Sequence, residues 1–513
     1  MTPALWQGEP FVVLIDEAAI GGSDQVRLLL QASGLQVIVV GGGRPVTLTT
    51  PAVGIFGDEI PPVPGCHAWY VGAGPTPRWM HRTLGRGAAT SAQILRMLGT
   101  ALVQEQAAVA FRAAGAGHPY LARIALDLDV LRGVDRAVCP LYIPGPACPV
   151  VAVDREALLR KAFAAIEACC APNGAIAAAP QAGPDEPDYW FFWQRDAAAT
   201  ALALHALSNF GPLDLRARSA ALCRGYLGFV DRIGHSGAVA AGRTTMGGAP
   251  VGGYGDPQHD GPAATVLAVL TLNPDAVEIV RPFLEHLLLP GRRTGFDLWE
   301  LIKGRSFHAS NLRRRALHLA AAVATEVDPD LARRCRVTDE RPTFVDPAGG
   351  WRHVLDPEPA WFKHTTRLDV SVLGSALLAF DGGSDLNHPC LAQTARRLEA
   401  HFAAKWPVNL AWRRAGNSGA GIGRFPEDAN DGFGSTGGNP WPIATLWMAQ
   451  YHLHKGNRDL ADGYLRFVVA HVDPAAISEQ IDAVTGVPRG ARGLAWAHAE
   501  LITTLLAHKR PPS

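Results

Sequence analysis

The sequence predicts a mainly α-helical protein: a toroid of paired inner and outer helices preceded by a smaller α/β portion. Three observations carry that reading. From about Val150 onward, roughly twelve Ala- and Leu-rich segments show helical apolar spacing. Over the same stretch strand signals nearly vanish, and the segments are joined by alternating short and long loops rich in Gly, Pro, Trp and Asp. Before it, short β-branched runs alternate with helical stretches, and Pro140, Pro144, Pro146 and Pro149 interrupt any regular element between the two textures.

The N-terminal portion, residues 1–145, reads as an α/β accessory domain. Strands are expected at Phe11 to Ile15, Gln36 to Val40 and Val53 to Phe56, and a helix at Ser91 to Ala114. Gly41–Gly43 follows an apparent strand but lacks the later glycine of a phosphate-binding loop, so it reads as a tight turn. In residues 150–510 helices are expected to begin near 155, 196, 215, 260, 275, 297, 308, 367, 388, 440, 457 and 493. A solenoid is the rival architecture, yet no repeat of fixed period exists.

Composition narrows the function. The chain has 513 residues, 48% of them hydrophobic and 18% charged, enough apolar surface to exclude disorder. Lys+Arg and Asp+Glu both number 47, so no global field recruits nucleic acid or an anionic membrane. The eight cysteines are scattered with no CxxC pair, and the histidines show no metal-ligand spacing, so neither a metal nor a cofactor is expected. No apolar run is long enough to span a bilayer. The N-terminus carries Glu9 and Asp16 where a secretion signal needs apolar residues, from which a cytoplasmic location is expected.

Five loop segments concentrate polar and aromatic side chains. YWFFWQRD (Tyr189 to Asp196) sets aromatics beside an Arg-Asp pair, which suits a sugar: pyranose C–H faces stack on rings while hydroxyls need fixed donors and acceptors. Core packing with Asp196 as a helix cap explains that segment equally well. GGYGDPQHDGP (Gly252 to Pro262) gathers Asp256, Gln258, His259 and Asp260 before a helix. In GFDLWELIKG (Gly295 to Gly304), the spacing of Asp297 and Glu300 predicts two carboxylates on one side of a helical first turn, with Trp299 shielding one from water. A carboxyl beside an indole tends to hold its proton, as a general acid must, although an N-cap arrangement gives the same spacing. The long polar loop Gly421 to Thr445 supplies Arg424, Glu427, Asp428, Asn439 and Trp441, and ISEQID (Ile477 to Asp482) places Glu479 shortly before the last helix.

Taken in order, these segments resemble glycoside hydrolase family 15, the glucoamylase family. The resemblance runs from about Asn173, where NGAIAAAP looks like the loop that opens the family's barrel, to Trp496. It implies an (α/α)6 barrel over residues 150–510 with the site at one mouth, and an inverting exo-acting α-glucosidase. Carried over by motif, Glu300 in FDLWE is the general acid and Glu479 in SEQ the general base. Arg195 and Asp196 in WQRD look like the clamp on the terminal glucosyl unit, with Tyr189 and Trp193 stacking near it. Trp299, Arg424 in GRFPED and Trp496 look like further sugar contacts. Tyr254 belongs to the same set but stands where the family usually has tryptophan, and Leu301 follows Glu300 where a second glutamate is usual. The latter departure argues against ordinary malto-oligosaccharide specificity, and the expected cytoplasmic location argues against bulk starch, so a small α-glucoside is the expected substrate, with no nucleic-acid or membrane partner. An α,α-trehalase of the same fold and a non-hydrolytic sugar-binding barrel are the alternatives.

Overall fold

A computed structural model describes, with side chains, residues 154–180, 189–252, 257–290, 294–336, 341–358, 367–378, 385–428 and 438–508, and in the N-terminal portion the backbone of six strands. The chain divides into two compact units, Met1–Pro146 with Phe433–Thr436, and Ala147–Gly432 with Gly437–Ser513.

In the first unit β1 (Leu5–Trp6) and β2 (Glu9–Pro10) pair antiparallel, and β3 (Val12–Asp16), β4 (Val37–Val40), β5 (Ala52–Phe56) and β6 (Cys66–Tyr70) form a parallel sheet of order β4-β3-β5-β6. The three expected strands are β3, β4 and β5, each within one residue; β6, reading CHAWY, has no β-branched run to announce it. The expected helix at Ser91 to Ala114 and the turn at Gly41–Gly43 lie outside the described residues.

The second unit is an (α/α)6 barrel. Its inner ring is α2 (Gln194–Phe210), α4 (Asp260–Leu272), α6 (Phe307–Ala324), α8 (Ser371–Leu377), α11 (Pro442–His454) and α13 (Ala495–Ala507), each packed on the next, with α13 closing on α2. Outside lie α1 (Arg155–Ala168) on α13, α3 (Leu213–Ser236) on α2, α5 (Val277–Leu288) on α4, α7 (Pro329–Arg334) on α6, α9 (Pro389–Phe402) on α8 and α12 (Arg458–His471) on α11. A further short helix, α10 (Pro407–Arg414), follows α9.

Burial follows this layering. Inner helices are enclosed on all sides, so α4 is buried without a break from Asp260 to Leu270 and α11 from Pro442 to His452. Outer helices bury one stripe only; α9 turns in Leu391, Thr394, Ala395, Leu398 and Phe402 and leaves the rest to solvent. Asp154, Ser306 and Asp328 accept backbone N–H bonds as N-caps of α1, α6 and α7, and prolines at the first turn start α7, α9, α10 and α11. At Gly374 of α8 an added Cβ would lie 2.7 Å from the Trp447 ring, so only glycine lets α11 press that indole against its neighbour.

One expected helix is absent. The segment near 297 is a β-turn between β9 (Gly295–Phe296) and β10 (Lys303–Ser306), and β10 also pairs with β11 (Val354–Leu355). Two other short pairs lie in the loops: β7 (Phe192–Trp193) with β8 (Arg243–Thr244), and β12 (Gln480–Ile481) with β13 (Pro488–Arg489). Among the described residues Cys169, Cys170, Cys223, Cys335 and Cys390 are free thiols, and no helix is long and apolar enough to cross a membrane.

Candidate active site

The inner helices run parallel, and their N-terminal ends collect the motif residues at one mouth. Arg195 and Asp196 open α2, Gln258 precedes α4, Trp441 precedes α11 and Trp496 lies in the first turn of α13. Asp196 sits inside α2 and caps nothing, because the N-cap position is Trp193 and makes no side-chain cap bond.

Glu300 is held from one side. Gln258 accepts from Arg195 Nη1 at 2.8 Å through Oε1 and donates Nε2 to Glu300 Oε1 at 2.8 Å, so its amide has only one workable orientation. Arg195 Nη2 stands 4.0 Å from the same carboxylate. Arg195 is also bonded to Asp196 (3.1 Å) and Asp260 (3.2 Å). Burial alone would weaken its charge, but these three carboxylates hold the guanidinium more firmly protonated than usual. Burial pushes the Asp196 carboxyl up to about 6, against the pull of Arg195.

The backbone at Glu300 has φ 59°, a left-handed conformation rare outside glycine and concentrated at functional sites. Asp297 explains how it is held. Its carbonyl accepts from Glu300 N at 3.0 Å, and its Oδ1 accepts from Leu301 N (2.7 Å) and Ile302 N (2.9 Å). The turn therefore separates the two carboxylates expected to lie together: Asp297 is fully buried, while the Glu300 side chain is 26% exposed toward the cleft. Trp299 is fixed from behind, its Nε1 donating to both oxygens of Asp369 at 3.0 Å.

Glu479 lies in a tightly tied loop. Its N–H donates to Ala491 O (2.8 Å), Ile481 N donates to Pro440 O (2.9 Å), and Asn439 donates to Gln480 Oε1 (2.9 Å). A Cβ at Gly490 would stand 2.4 Å from Glu479 Oε2, so the neighbouring strand passes the carboxylate only as glycine. Tyr189 donates its hydroxyl to Glu479 Oε1 at 3.3 Å. Burial raises the Glu479 pKa, opposed by the Arg424 charge and the Tyr189 bond. Tyr189 in turn is made harder to ionise, first by burial and then by the charges of Glu479, Glu300 and Asp196. That single phenol thus sits in the field of all three carboxylates.

Aromatic rings cluster at this mouth. Tyr189 and Trp193 are 5.7 Å apart, Arg195 lies 5.5 Å over Trp496, and Trp447 joins Trp496 (5.5 Å) to Trp299 (6.4 Å), which meets Trp441 (5.4 Å). Arg424 lies 4.8 Å over Trp441 and 5.5 Å over Trp299, with its guanidinium forked onto Asp428 at 2.8 and 2.7 Å. Nine of the ten sequence-chosen residues meet at this mouth; Tyr254 lies outside the described residues.

The sequence model of glycosyl hydrolases family 15 matches residues 152–458. The chain belongs to that family. A glucoamylase of Saccharomycopsis fibuligera is 25% identical over 442 residues, spanning 65% of this chain and 83% of the relative, and a probable glucoamylase of Schizosaccharomyces pombe is 25% identical over 395 residues, spanning 65% and 84%. The solved S. fibuligera glucoamylase superposes with a TM-score of 0.58 at 21% identity, covering 70% of this chain and 96% of that one. A bacterial glucoamylase complexed with acarbose gives 0.54 at 17% identity, covering 78% and 61%. The chain is accordingly a glycoside hydrolase of the glucoamylase family.

Several members of the mouth were not singled out as site residues from sequence. Gln258, Asp260 and Asp428 lie inside flagged segments, and the four-residue step from Arg424 to Asp428 was a usable signal. Trp447, in the middle of an apolar helix, and Asp369, ahead of α8, read only as core and cap.

Proposed function

We propose that this family 15 hydrolase is an inverting, exo-acting α-glucosidase that releases the non-reducing terminal glucosyl unit of a small α-glucoside. Glu300 is the general acid and Glu479 the general base. The observation that supports the assignment is the pair of hydrogen bonds at the mouth: Gln258, bonded to Arg195, donates to Glu300 Oε1 at 2.8 Å, and Tyr189, whose ring lies 5.7 Å from Trp193, donates to Glu479 Oε1 at 3.3 Å. Two remote acids thereby share one aromatic-walled mouth.

In the reaction, Glu300 gives its proton to the glycosidic oxygen as the C1–O bond breaks, and the aglycone leaves as an alcohol. Glu479 removes a proton from the water whose oxygen attacks C1 from the opposite face, so the α-glucoside yields β-glucose. The Gln258 N–H on Glu300 Oε1 directs the transferable proton to Oε2. Asp196 and the indole walls face the positive charge that develops on the oxocarbenium-like ring.

The test is a panel of α-glucosides, including maltose, isomaltose and trehalose, followed by proton NMR of the first-formed anomer. Early β-glucose supports inversion; early α-glucose, or binding without release, overturns the proposal. Preference for trehalose assigns the trehalase alternative. Glu300→Gln and Glu479→Gln are each expected to lower turnover at least about 10³-fold while the protein stays folded, and near-normal turnover in either removes its assigned role.

A further inference from the structure

At the opposite end of the barrel a cavity of about 280 Å³ opens among the C-terminal halves of the inner helices. It does not overlap the sugar site. Its walls come from α2 between Ala199 and Phe210, from the ends of α4 and α8, from Gln450 of α11 and from α13 between Glu500 and Ala507, so the negative ends of parallel helix dipoles lie on this side, as the positive ends lie at the sugar mouth.

One ionisable acid faces this space. Glu500 on α13 is buried, and its oxygens accept from Trp496 Nε1 (2.7 Å), Gln450 Nε2 (2.6 Å) and Trp447. A carboxylate offers about four acceptor positions, so three N–H donors leave one open, and Glu500 lines the cavity. All three donors are neutral, and the lining contains neither lysine nor arginine. Arg315 of α6 donates to the carbonyls of Ser375 and Leu378. Burial lowers the pKa of His205, the other titratable group in the lining. The remaining surface is mixed: Asn209, Thr271 and Thr503 offer hydrogen bonds, and Leu202, Phe210 and Leu506 offer an apolar wall.

We propose that this cavity is a second ligand site, which takes a small primary alkylammonium ion with its charged head on Glu500 and its alkyl chain along Leu202 and Leu506. Burial raises the Glu500 pKa, and an ammonium supplies the positive charge that favours the ionised form; its N–H groups use the remaining acceptor position and the threonine hydroxyls, and a chain of a few carbons suits the volume. The inference is independent of which glucoside is hydrolysed.

The experiment titrates the full chain with n-butylammonium chloride, and in parallel with 1-butanol, its uncharged analogue of similar shape, by calorimetry and ligand-observed NMR. Butylammonium is expected to bind one equivalent at least tenfold more tightly than butanol. Glu500→Gln is expected to remove that preference. Ala206→Leu, which fills the cavity from α2 without touching the carboxylate, is expected to abolish binding, and it carries the test alone if Glu500→Gln fails to fold. Binding should persist in Glu300→Gln and Glu479→Gln. Equal affinity for butanol, no binding at all, or binding lost in the sugar-site variants but kept in Ala206→Leu each overturns the proposal.

Discussion

His353 donates to Asp297 across 2.8 Å in a wholly buried layer behind the turn that carries Glu300. The same ring is 3.6 Å from Asp369 and 3.1 Å from the Ser371 hydroxyl. Asp297 pins the turn, Asp369 pins Trp299, and one imidazole links both acids. Burial would discharge the ring, but the charges of Asp369 and Asp297 outweigh it and raise its pKa above the ordinary value of 6.5. A raised histidine stabilises the fold fully below its unfolded pKa and loses that contribution as pH climbs through the folded value.

His353→Gln therefore leaves two buried carboxylates without their cation. The expected cost is about 3–5 kcal/mol, seen as a lower Tm together with a lower kcat, because the Glu300 turn loosens. The double variant with Asp369→Asn is expected to recover part of the stability. Additive losses in this double-mutant cycle would show that the two residues are not coupled.

Tyr189→Phe removes the hydroxyl that favours ionised Glu479. The pKa of Glu479, already raised by burial, should rise further, moving the acidic limb of the kcat/KM profile to higher pH. A loss of about tenfold at the optimum is expected, on the order of one hydrogen bond to a charged group. An unshifted acidic limb would remove Glu479 from the base role.

His498 accepts the Ile477 N–H on Nε2 at 3.1 Å, tying α13 to the loop that carries Glu479. Burial holds its pKa down at about 3, so the ring is neutral in the folded protein. Because the unfolded chain takes up this proton near 6.5, stability conferred by the neutral ring is present above that pH and drains away as pH falls toward 3. The loss is on the order of a few kcal/mol. His498→Gln, which keeps an acceptor but cannot charge, should flatten the acid limb of a Tm-against-pH curve; an unchanged limb assigns acid sensitivity elsewhere.

Leu301 contributes its backbone N–H to Asp297, and its side chain is only half-buried, so the side chain can change without undoing the turn. Leu301→Glu is expected to leave Tm nearly unchanged and to raise the maltose preference relative to other α-glucosides. The ratio of kcat/KM values across the panel measures this directly, and a constant ratio would dissociate residue 301 from the leaving-group side.

Much of the fold was legible because burial writes itself into composition. All-round apolar stretches such as Asp260–Leu270 belong to helices enclosed on every side, and striped ones such as Pro389–Phe402 to helices with a wet face. The misread helix near 297 shows where this logic fails. Asp297 and Glu300 have helical spacing, yet Asp297 spends its carboxylate on two backbone N–H groups and on His353, fifty-six residues away, and that long-range bond selects a turn.

The amino-acid order by itself determined eleven of the barrel's helices, the two textures and the five segments that point to sugar chemistry, since periodicity and motif are local properties. Only the tertiary structure decided that Gln258 bridges Arg195 to Glu300, that buried Trp447 packs behind Trp496 and Trp299, and that Glu500 lines a second hollow. Those relationships arise when the ring of six inner helices closes and brings α13 back against α2, a contact that no local stretch of sequence encodes.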